Sequence, residues 1–128
     1  MGFPKMKNSG EFVAHVKDLL GDIPNVVVKP MFGGHGIFRE NVMFGSLARD
    51  VMYLRADGDR AAQLKADGSE QFGFEMGGKA MTMPYWTVPS NALDDRDSMT
   101  ELAVAAFADA LAADRKKPKS KRKHKPVN

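Results

Sequence analysis

Three or four strand-like runs follow one another between Val26 and Arg55, and only turn-sized gaps separate them. The runs, rich in β-branched and aromatic residues, are Val26 to Phe32, Ile37-Phe38, Val42 to Leu47 and Val51 to Arg55. Glu40-Asn41 predicts a two-residue hairpin turn, because Asn tolerates the left-handed conformation that such a turn requires. Parallel strands need crossovers of about a dozen residues or more. The spacing therefore predicts an antiparallel meander and argues against a doubly wound parallel fold.

Three segments have the features of helices. Ser9 can cap a helix from about Gly10 to Leu20, where apolar residues recur at helical spacing. A short helix, capped by its first residue, is expected from Asp57 to Ala66. A long amphipathic helix is expected around Met99 to Ala110, and Pro118 should stop it two residues earlier.

A second, shorter β region lies between the second and third helices. Phe72 and Phe74 alternate with Gly and Glu, Gly77-Gly78 supply a turn, and two further runs reach Val88. The order of elements is α, three or four β, α, two or three β, α. We therefore predict a two-layer α+β domain in which helices pack against an antiparallel sheet.

The composition indicates a single cytoplasmic domain. A chain of 128 residues fits one domain, and the absence of cysteine excludes disulfides and thiolate metal sites. The N-terminal residues lack the apolar core of a secretory signal, and no apolar run is long enough to span a bilayer. We expect a cytoplasmic protein with no membrane partner.

The net charge of +3 is an average over two unlike regions. Eight of the 19 basic residues lie in the last 14 positions, which contain no acid: Arg115, Lys116, Lys117, Lys119, Lys121, Arg122, Lys123 and Lys125. Residues 1–114 then hold 11 basic and 16 acidic residues, a net charge of −5. We predict an α+β domain over residues 1–114 and a basic, disordered tail over residues 115–128.

The tail predicts affinity for polyanions. Each phosphate that Lys or Arg neutralises on duplex DNA adds about −0.9 to the salt slope, so engagement of most of the tail would give about −6 to −7. No Phe, Tyr or Trp lies between the charges, so base stacking is not indicated. Non-specific nucleic-acid binding is one interpretation, and a solubilising or ribosome-adhering terminus is the other.

The glycine-rich segment Gly33-Gly34-His35-Gly36 has some features of a phosphate-binding loop. It lacks the Gly-Lys-Ser/Thr ending of a phosphate loop, and Arg39 stands where a dinucleotide motif requires its last glycine. A structural turn or bulge is the favoured interpretation. His35 has no partner close in sequence that would make it a base or a metal ligand, since His15 lies on a predicted helix and His124 in the tail.

The acidic residues fit capping better than metal binding. Asp94, Asp95 and Asp97 precede a helix, and Asp57-Gly58-Asp59 lacks further ligands for a calcium loop. No Gly-x-Ser-x-Gly nucleophile elbow occurs. We predict no catalytic residue, no metal ligand and no cofactor.

Seven methionines lie between Met31 and Met99, interspersed with phenylalanines. Methionine fills irregular cores, and it also lines adaptable binding surfaces. Both interpretations remain open at this level.

The run Met31-Phe32-Gly33-Gly34, followed by Gly36, resembles the N-terminal domain of the TfoX (Sxy) family of bacterial competence regulators. Further resembling segments, in the family's order, are Lys29-Pro30, Ile37-Phe38, Val42 to Gly45, Tyr53 to Arg55, Gly68 with Phe72, and Tyr85 to Pro89. Together they cover roughly residues 10–112. The resemblance implies a fold like that of type III secretion chaperones, a homodimer, and a link to DNA uptake or transcriptional control of competence.

The regulators of that family continue into a C-terminal helical domain, whereas a lysine-rich tail follows here, so we expect a stand-alone member. Three hypotheses result. The leading one is a non-enzymatic regulatory or interaction module that works through protein contacts, with nucleic-acid affinity in its tail. The others are a small-molecule-binding protein or enzyme that uses Gly34-His35-Gly36, and a structural dimerisation module.

Overall fold

The computed structural model of the chain describes residues 6–125. The helices are α1 (Gly10–Leu19), α2 (Gly58–Ala66) and α3 (Arg96–Arg115), and short 3-10 turns cover Ser90–Asp94 and Lys119–Lys121. The strands are β1 (Val26–Met31), β2 (Gly34–Arg39), β3 (Val42–Ala48), β4 (Val51–Arg55), β5 (Gln71–Met76) and β6 (Lys79–Thr87). The predicted element order is confirmed, with four strands in the first β region and two in the second.

The six strands form one antiparallel sheet in the order β1-β2-β3-β4-β6-β5. The first four are a meander, as the short gaps predict. The chain then passes through α2, so that β6 pairs with β4 and β5 forms the far edge. The predicted α+β class, with helices packed against an antiparallel sheet, is confirmed.

Two-residue turns with positive φ join the strands of the meander. Glu40 and Asn41 have φ values of 51° and 68°, which confirms the predicted hairpin. The turn between β1 and β2 is made by Phe32 (φ 50°) and Gly33 (φ 84°), while Gly34 is already the first residue of β2. The turn expected at Gly33-Gly34 therefore lies one residue earlier, and β1 ends at Met31.

One face of the sheet packs against α1 and α3. Phe44 of β3 is fully buried there, and its ring meets that of Phe107 edge to face, with centroids 5.9 Å apart. Ile37, Leu47 and Met99 are also fully buried in this cluster. Burial of each such side chain stabilises the fold by about 1.5–3 kcal/mol, so this face is the main core.

The helix ends follow the sequence signals closely. The Ser9 hydroxyl accepts a hydrogen bond from the Phe12 N–H (3.1 Å), as a cap does. At the start of α3, the Asp95 carboxylate accepts from Ser98 and from the Asp97 N–H, which lowers its pKa. Asp57 precedes α2 but forms no side-chain cap; it pairs with Arg55 instead (3.2 Å).

No helix within the described residues covers the opposite face of the sheet. Its residues form a second, smaller cluster around Tyr53, Phe72 and Tyr85, and the ring centroids of Tyr53 and Phe72 are 4.9 Å apart. Met6 packs there with 7% of its surface exposed. The N-terminal segment is thus the part of the described chain that partly closes this face.

The N-terminal segment is held by the buried side chain of Asn8. Its amide donates to the Leu47 carbonyl (2.9 Å), and its oxygen accepts from the Asp50 N–H (2.8 Å). The carbonyl of Met6 accepts from the Arg49 N–H (3.2 Å). These bonds hold the segment against Gly34, the first residue of β2.

The described part of the C-terminal segment contacts the domain. Helix α3 ends at Arg115, as Pro118 predicts, but residues 116–125 fold back against the domain instead of extending from it. The physical reason is the carboxylate of Asp114, which accepts N–H hydrogen bonds from two residues of that segment. None of the helices between Met6 and Lys125 combines the length and apolar composition needed to cross a bilayer.

A Gly34→Ala substitution should destabilise the fold. A Cβ at this position would lie 2.5 Å from the Leu47 carbonyl oxygen and 3.1 Å from that of Met6, and both obstacles are backbone atoms. We expect a loss of about 1–3 kcal/mol in the free energy of unfolding, measured by chemical denaturation. The control is Gly10→Ala in α1, where nothing lies within 4 Å of the new Cβ; equal stabilities for the two variants would contradict the prediction.

Candidate functional site

His35 lies at the start of β2, in contact with Asn8. The Asn8 amide nitrogen is 2.9 Å from His35 Nδ1, and because an amide N–H can only donate, Nδ1 accepts. The proton of the neutral ring is therefore on Nε2. A general base needs a free lone pair and an acid that orients it, whereas here Asn8 occupies the lone pair of Nδ1. The arrangement offers a hydrogen-bond donor rather than a base.

The three histidines lie apart from one another. His15 Nε2 is 2.7 Å from the Leu93 carbonyl, and His124 Nε2 is 3.1 Å from the Glu40 carboxylate. Within residues 6–125, no group of three or more His, Asp or Glu side chains is arranged to hold a metal ion. The acids proposed as alternative ligands have other partners: Asp95 caps α3 and Asp57 pairs with Arg55.

The open face of the sheet contains an apolar cleft of about 480 Å³. Its lining is Met6, Met31, Phe32, Gly34, His35, Met43, Ser46, Leu47, Phe72, Phe74, Met81, Thr82 and Met83. Five of the nine methionines line it, whereas Met52 and Met99 are in the main core. The methionines are therefore divided between the main core and the open face, with the larger share on the open face.

The cleft is concave because the sheet curls. Met31 comes from edge strand β1 and Phe74 from edge strand β5, and these strands are at opposite ends of the sheet order. Both side chains nevertheless line one cleft. Most of its lining is hydrophobic, with Ser46, Thr82 and His35 as the polar exceptions.

The C-terminal segment is attached to the domain at Asp114. This side chain is only 3% exposed, and its two oxygens accept from the N–H groups of Lys123 (2.8 Å) and His124 (3.0 Å). Lys117 adds an ion pair at 3.6 Å. Burial by itself raises the pKa of the Asp114 carboxyl, but these N–H groups and the Lys117 ammonium hold that pKa below its ordinary value of 3.8. The carboxylate is therefore the anchor of the segment.

The anchored segment surrounds an open hollow of about 740 Å³, termed here the basic hollow. Five of the eight basic residues predicted to bind nucleic acid line it: Lys117, Lys121, Arg122, Lys123 and Lys125. The other lining residues are Asn41 and Ser120, so no acid contributes. Arg115, Lys116 and Lys119 are exposed elsewhere on the segment.

A third hollow, of about 490 Å³, lies between the other two and is termed here the junction. It shares Met31 and Met43 with the cleft, and Lys117 and Lys123 with the basic hollow. Lys29, Arg55, Tyr85 and Asp114 also line it. Burial raises the pKa of the Tyr85 hydroxyl, against the opposing effect of the Arg55 guanidinium.

The sequence assigns no site to several residues that matter here, although Lys29 and Arg55 belong to the segments that carry the family resemblance. Lys29 and Arg55 are single basic residues in strands, and Asn8 precedes a helix cap. Alternation along the strands could have placed Lys29 and Met31 on one face, since they are two residues apart. Nothing in the sequence connects Asp114 to residues nine and ten positions later.

An Asp114→Asn substitution should release the C-terminal segment. The amide keeps one acceptor oxygen but loses the charge and the second acceptor, so one N–H of Lys123 or His124 loses its partner. We expect amide hydrogen exchange at these two residues to accelerate by tenfold or more, on the order of a 1.4 kcal/mol loss, as read by NMR. Asp94→Asn, which changes an exposed carboxylate, is the matched control, and unchanged protection in Asp114→Asn would refute the anchor.

Acid should release the segment in the same way. Because the folded pKa of Asp114 is below its ordinary value, the anchor is complete above 3.8 and is lost as the pH falls through the lowered pKa. We expect the hydrogen-exchange protection of the Lys123 amide to persist between about pH 7 and pH 5 and to be lost only in more acidic solution. Release near neutral pH would show that another group holds the segment.

Comparison with protein families matches residues 18–110 to the TfoX N-terminal domain. No curated protein matches the chain. The matched range runs from the last two residues of α1 to within a few residues of the end of α3, and it includes the whole sheet. It covers well over half of the sequence and agrees with the resemblance noted at Met31 to Gly36. The chain therefore belongs to the TfoX N-terminal domain family.

Proposed function

We propose that this chain is a non-enzymatic regulatory module whose basic hollow binds the phosphate backbone of nucleic acids. Membership of the TfoX N-terminal domain family supports a regulatory or interaction role in general terms, and the family is not a known enzyme family. The finer assignment, to competence-related or broader control in the bacterial cytoplasm, is part of the proposal. So is contact with a protein partner or a second copy.

The observation that carries the nucleic-acid proposal is the convergence of five cationic side chains on one hollow. Lys121, Arg122 and Lys125 line it together with Lys117 and Lys123, and no carboxylate does. Phosphate contacts from Lys and Arg provide affinity without reading sequence. The proposed binding is accordingly independent of base sequence.

The charge distribution restricts where a polyanion can bind. Residues 1–114 carry a net charge of −5, so the domain repels nucleic acid over most of its surface. The cations are held on one side by Asp114, next to the β2–β3 turn at Asn41. A bound duplex would therefore approach from that side, with the acidic surface directed away.

The salt dependence of DNA binding tests the proposal. If all five cations of the basic hollow neutralise phosphates, the slope of log K against log salt should be about −4 to −5 on duplex DNA. Replacement of Lys121, Arg122 and Lys125 by Gln should reduce the slope to about −2 and weaken binding strongly at low salt. Fluorescence anisotropy with two duplexes of unrelated sequence measures both quantities.

The matched control replaces three exposed lysines of the domain, Lys7, Lys17 and Lys65, by Gln, which removes the same charge. A chain cut after Asp114 adds a second comparison, because neither hydrophobic cluster contains a later residue. It should stay folded and lose most DNA retention. If the cut chain retained DNA as well as the full chain, a role for the basic hollow would be contradicted. The same holds if the control variant lost as much DNA affinity as the variant of the hollow.

A further inference from the structure

The apolar cleft has the size and chemistry of a ligand site. Its volume of about 480 Å³ lies within the roughly 300–1,000 Å³ of small-molecule pockets, and most of its lining is apolar or aromatic. Methionine side chains adapt to different apolar shapes because they have three rotatable bonds. An apolar ligand in the cleft would displace water from the side chains of Met31, Met43, Met81 and Met83.

Two of the polar groups in the cleft already have partners inside the protein. The Ser46 hydroxyl donates to the His35 carbonyl (3.4 Å), and His35 Nδ1 accepts from Asn8. When an apolar group enters the cleft, the Ser46 hydroxyl and His35 Nδ1 therefore keep their hydrogen bonds. Desolvation of unpaired polar atoms, which would oppose such binding, is limited here.

The end of the cleft at the junction is cationic. Lys29 lies over the Phe38 ring with its nitrogen 4.3 Å from the centroid, and Lys123 lines the same hollow. Arg55 and Lys117 have carboxylate partners in Asp57 and Asp114, but for the ammonium groups of Lys29 and Lys123 no ion pair is found among residues 6–125. The junction therefore has positive charge available to an anion.

Only a ligand with two different ends fits both hollows. The cleft and the junction meet at Met31 and Met43, so an apolar body in the cleft would place a terminal group next to Lys29. We propose that the open face of the sheet binds a single-chain anionic amphiphile, with the hydrocarbon chain in the cleft and the anionic head at Lys29 and Lys123. A free amphiphile fits better than a membrane surface, because the curled sheet presents a concave wall rather than a flat one.

Titration with decanoate tests the proposal on the full chain, with ¹³C-methyl methionine NMR as the readout. The methyl signals of Met31, Met43, Met81 and Met83 should shift in a saturable way, whereas those of the core residues Met52 and Met99 should not. Shifts of all methionines together would indicate detergent-like unfolding and overturn the proposal. Saturable shifts confined to the cleft would support it.

The variant Met81→Glu tests the cleft without threatening the fold, because this side chain is 45% exposed. A carboxylate in the path of the hydrocarbon chain should weaken decanoate binding by about tenfold or more. The matched control is Met76→Glu on the same hairpin, a residue that is 39% exposed and does not line the cleft. Equal binding by both variants would overturn the proposal.

The variant Lys29→Gln tests the head-group position, with Lys65→Gln on α2 as its control. Loss of the Lys29 charge should weaken decanoate about threefold to fivefold and leave binding of the neutral decyl maltoside unchanged. Decyltrimethylammonium should bind more weakly than decanoate to the unaltered chain. A cationic or neutral amphiphile that binds as tightly as decanoate would overturn the proposed anion site.

Two other occupants are separate outcomes of the same experiments. Light scattering that shows a dimer which Met81→Glu converts to a monomer would assign the cleft to a second copy. Binding to phosphatidylglycerol vesicles that Met81→Glu abolishes, without saturable decanoate binding, would assign the face to a membrane surface. Either result overturns the proposal, and both can be told apart from DNA binding because they are read from Met81→Glu, a position outside the basic hollow.

Discussion

The core helices α1 and α3 cover the same face of the sheet, and the rest of the molecule follows from this one-sided packing. The edge-to-face contact of Phe44 with Phe107 is at the centre of the covered face. An antiparallel sheet commonly leaves its second face to solvent, with polar side chains there. In this domain the second face is apolar and aromatic instead, and it is closed only in part by the segment at Met6. The cleft is the part of this face that residues 6–125 leave uncovered.

The glycines of the Met31 to Gly36 run make sense as parts of that open face. Gly34 leaves room for the backbone of the N-terminal segment. A Cβ on Gly36 would come within 2.5 Å of the Met31 sulfur and 2.7 Å of the Phe38 ring, so these side chains lie directly over it. In this chain the run builds one wall of the cleft, so its glycines serve packing rather than phosphate binding.

Local sequence signals could predict most of the fold, because the determinants are close in the chain. The Glu40-Asn41 hairpin, the Ser9 cap and the stop before Pro118 each depend on a few adjacent residues. The sites depend on residues far apart. Met31 and Phe74 line one cleft only because the sheet curls, and Asn8 reaches Leu47 across 39 positions. The placement of the residues near Lys123 could not be predicted either, because it depends on the buried carboxylate of Asp114, nine and ten positions earlier in the chain.

The anchoring of the C-terminal segment would lower the entropy cost of binding a polyanion. A free basic tail loses about 1–2 kcal/mol of backbone entropy for each residue that it orders on binding, whereas Asp114 has already ordered residues near Lys123. The domain would then have a defined orientation relative to its ligand, because no flexible linker would separate the two. Because Lys117 and Lys123 border both the basic hollow and the junction, an anion in either hollow reduces the positive potential available to the other. Two occupants of this surface would thus oppose each other's binding, and by equal amounts.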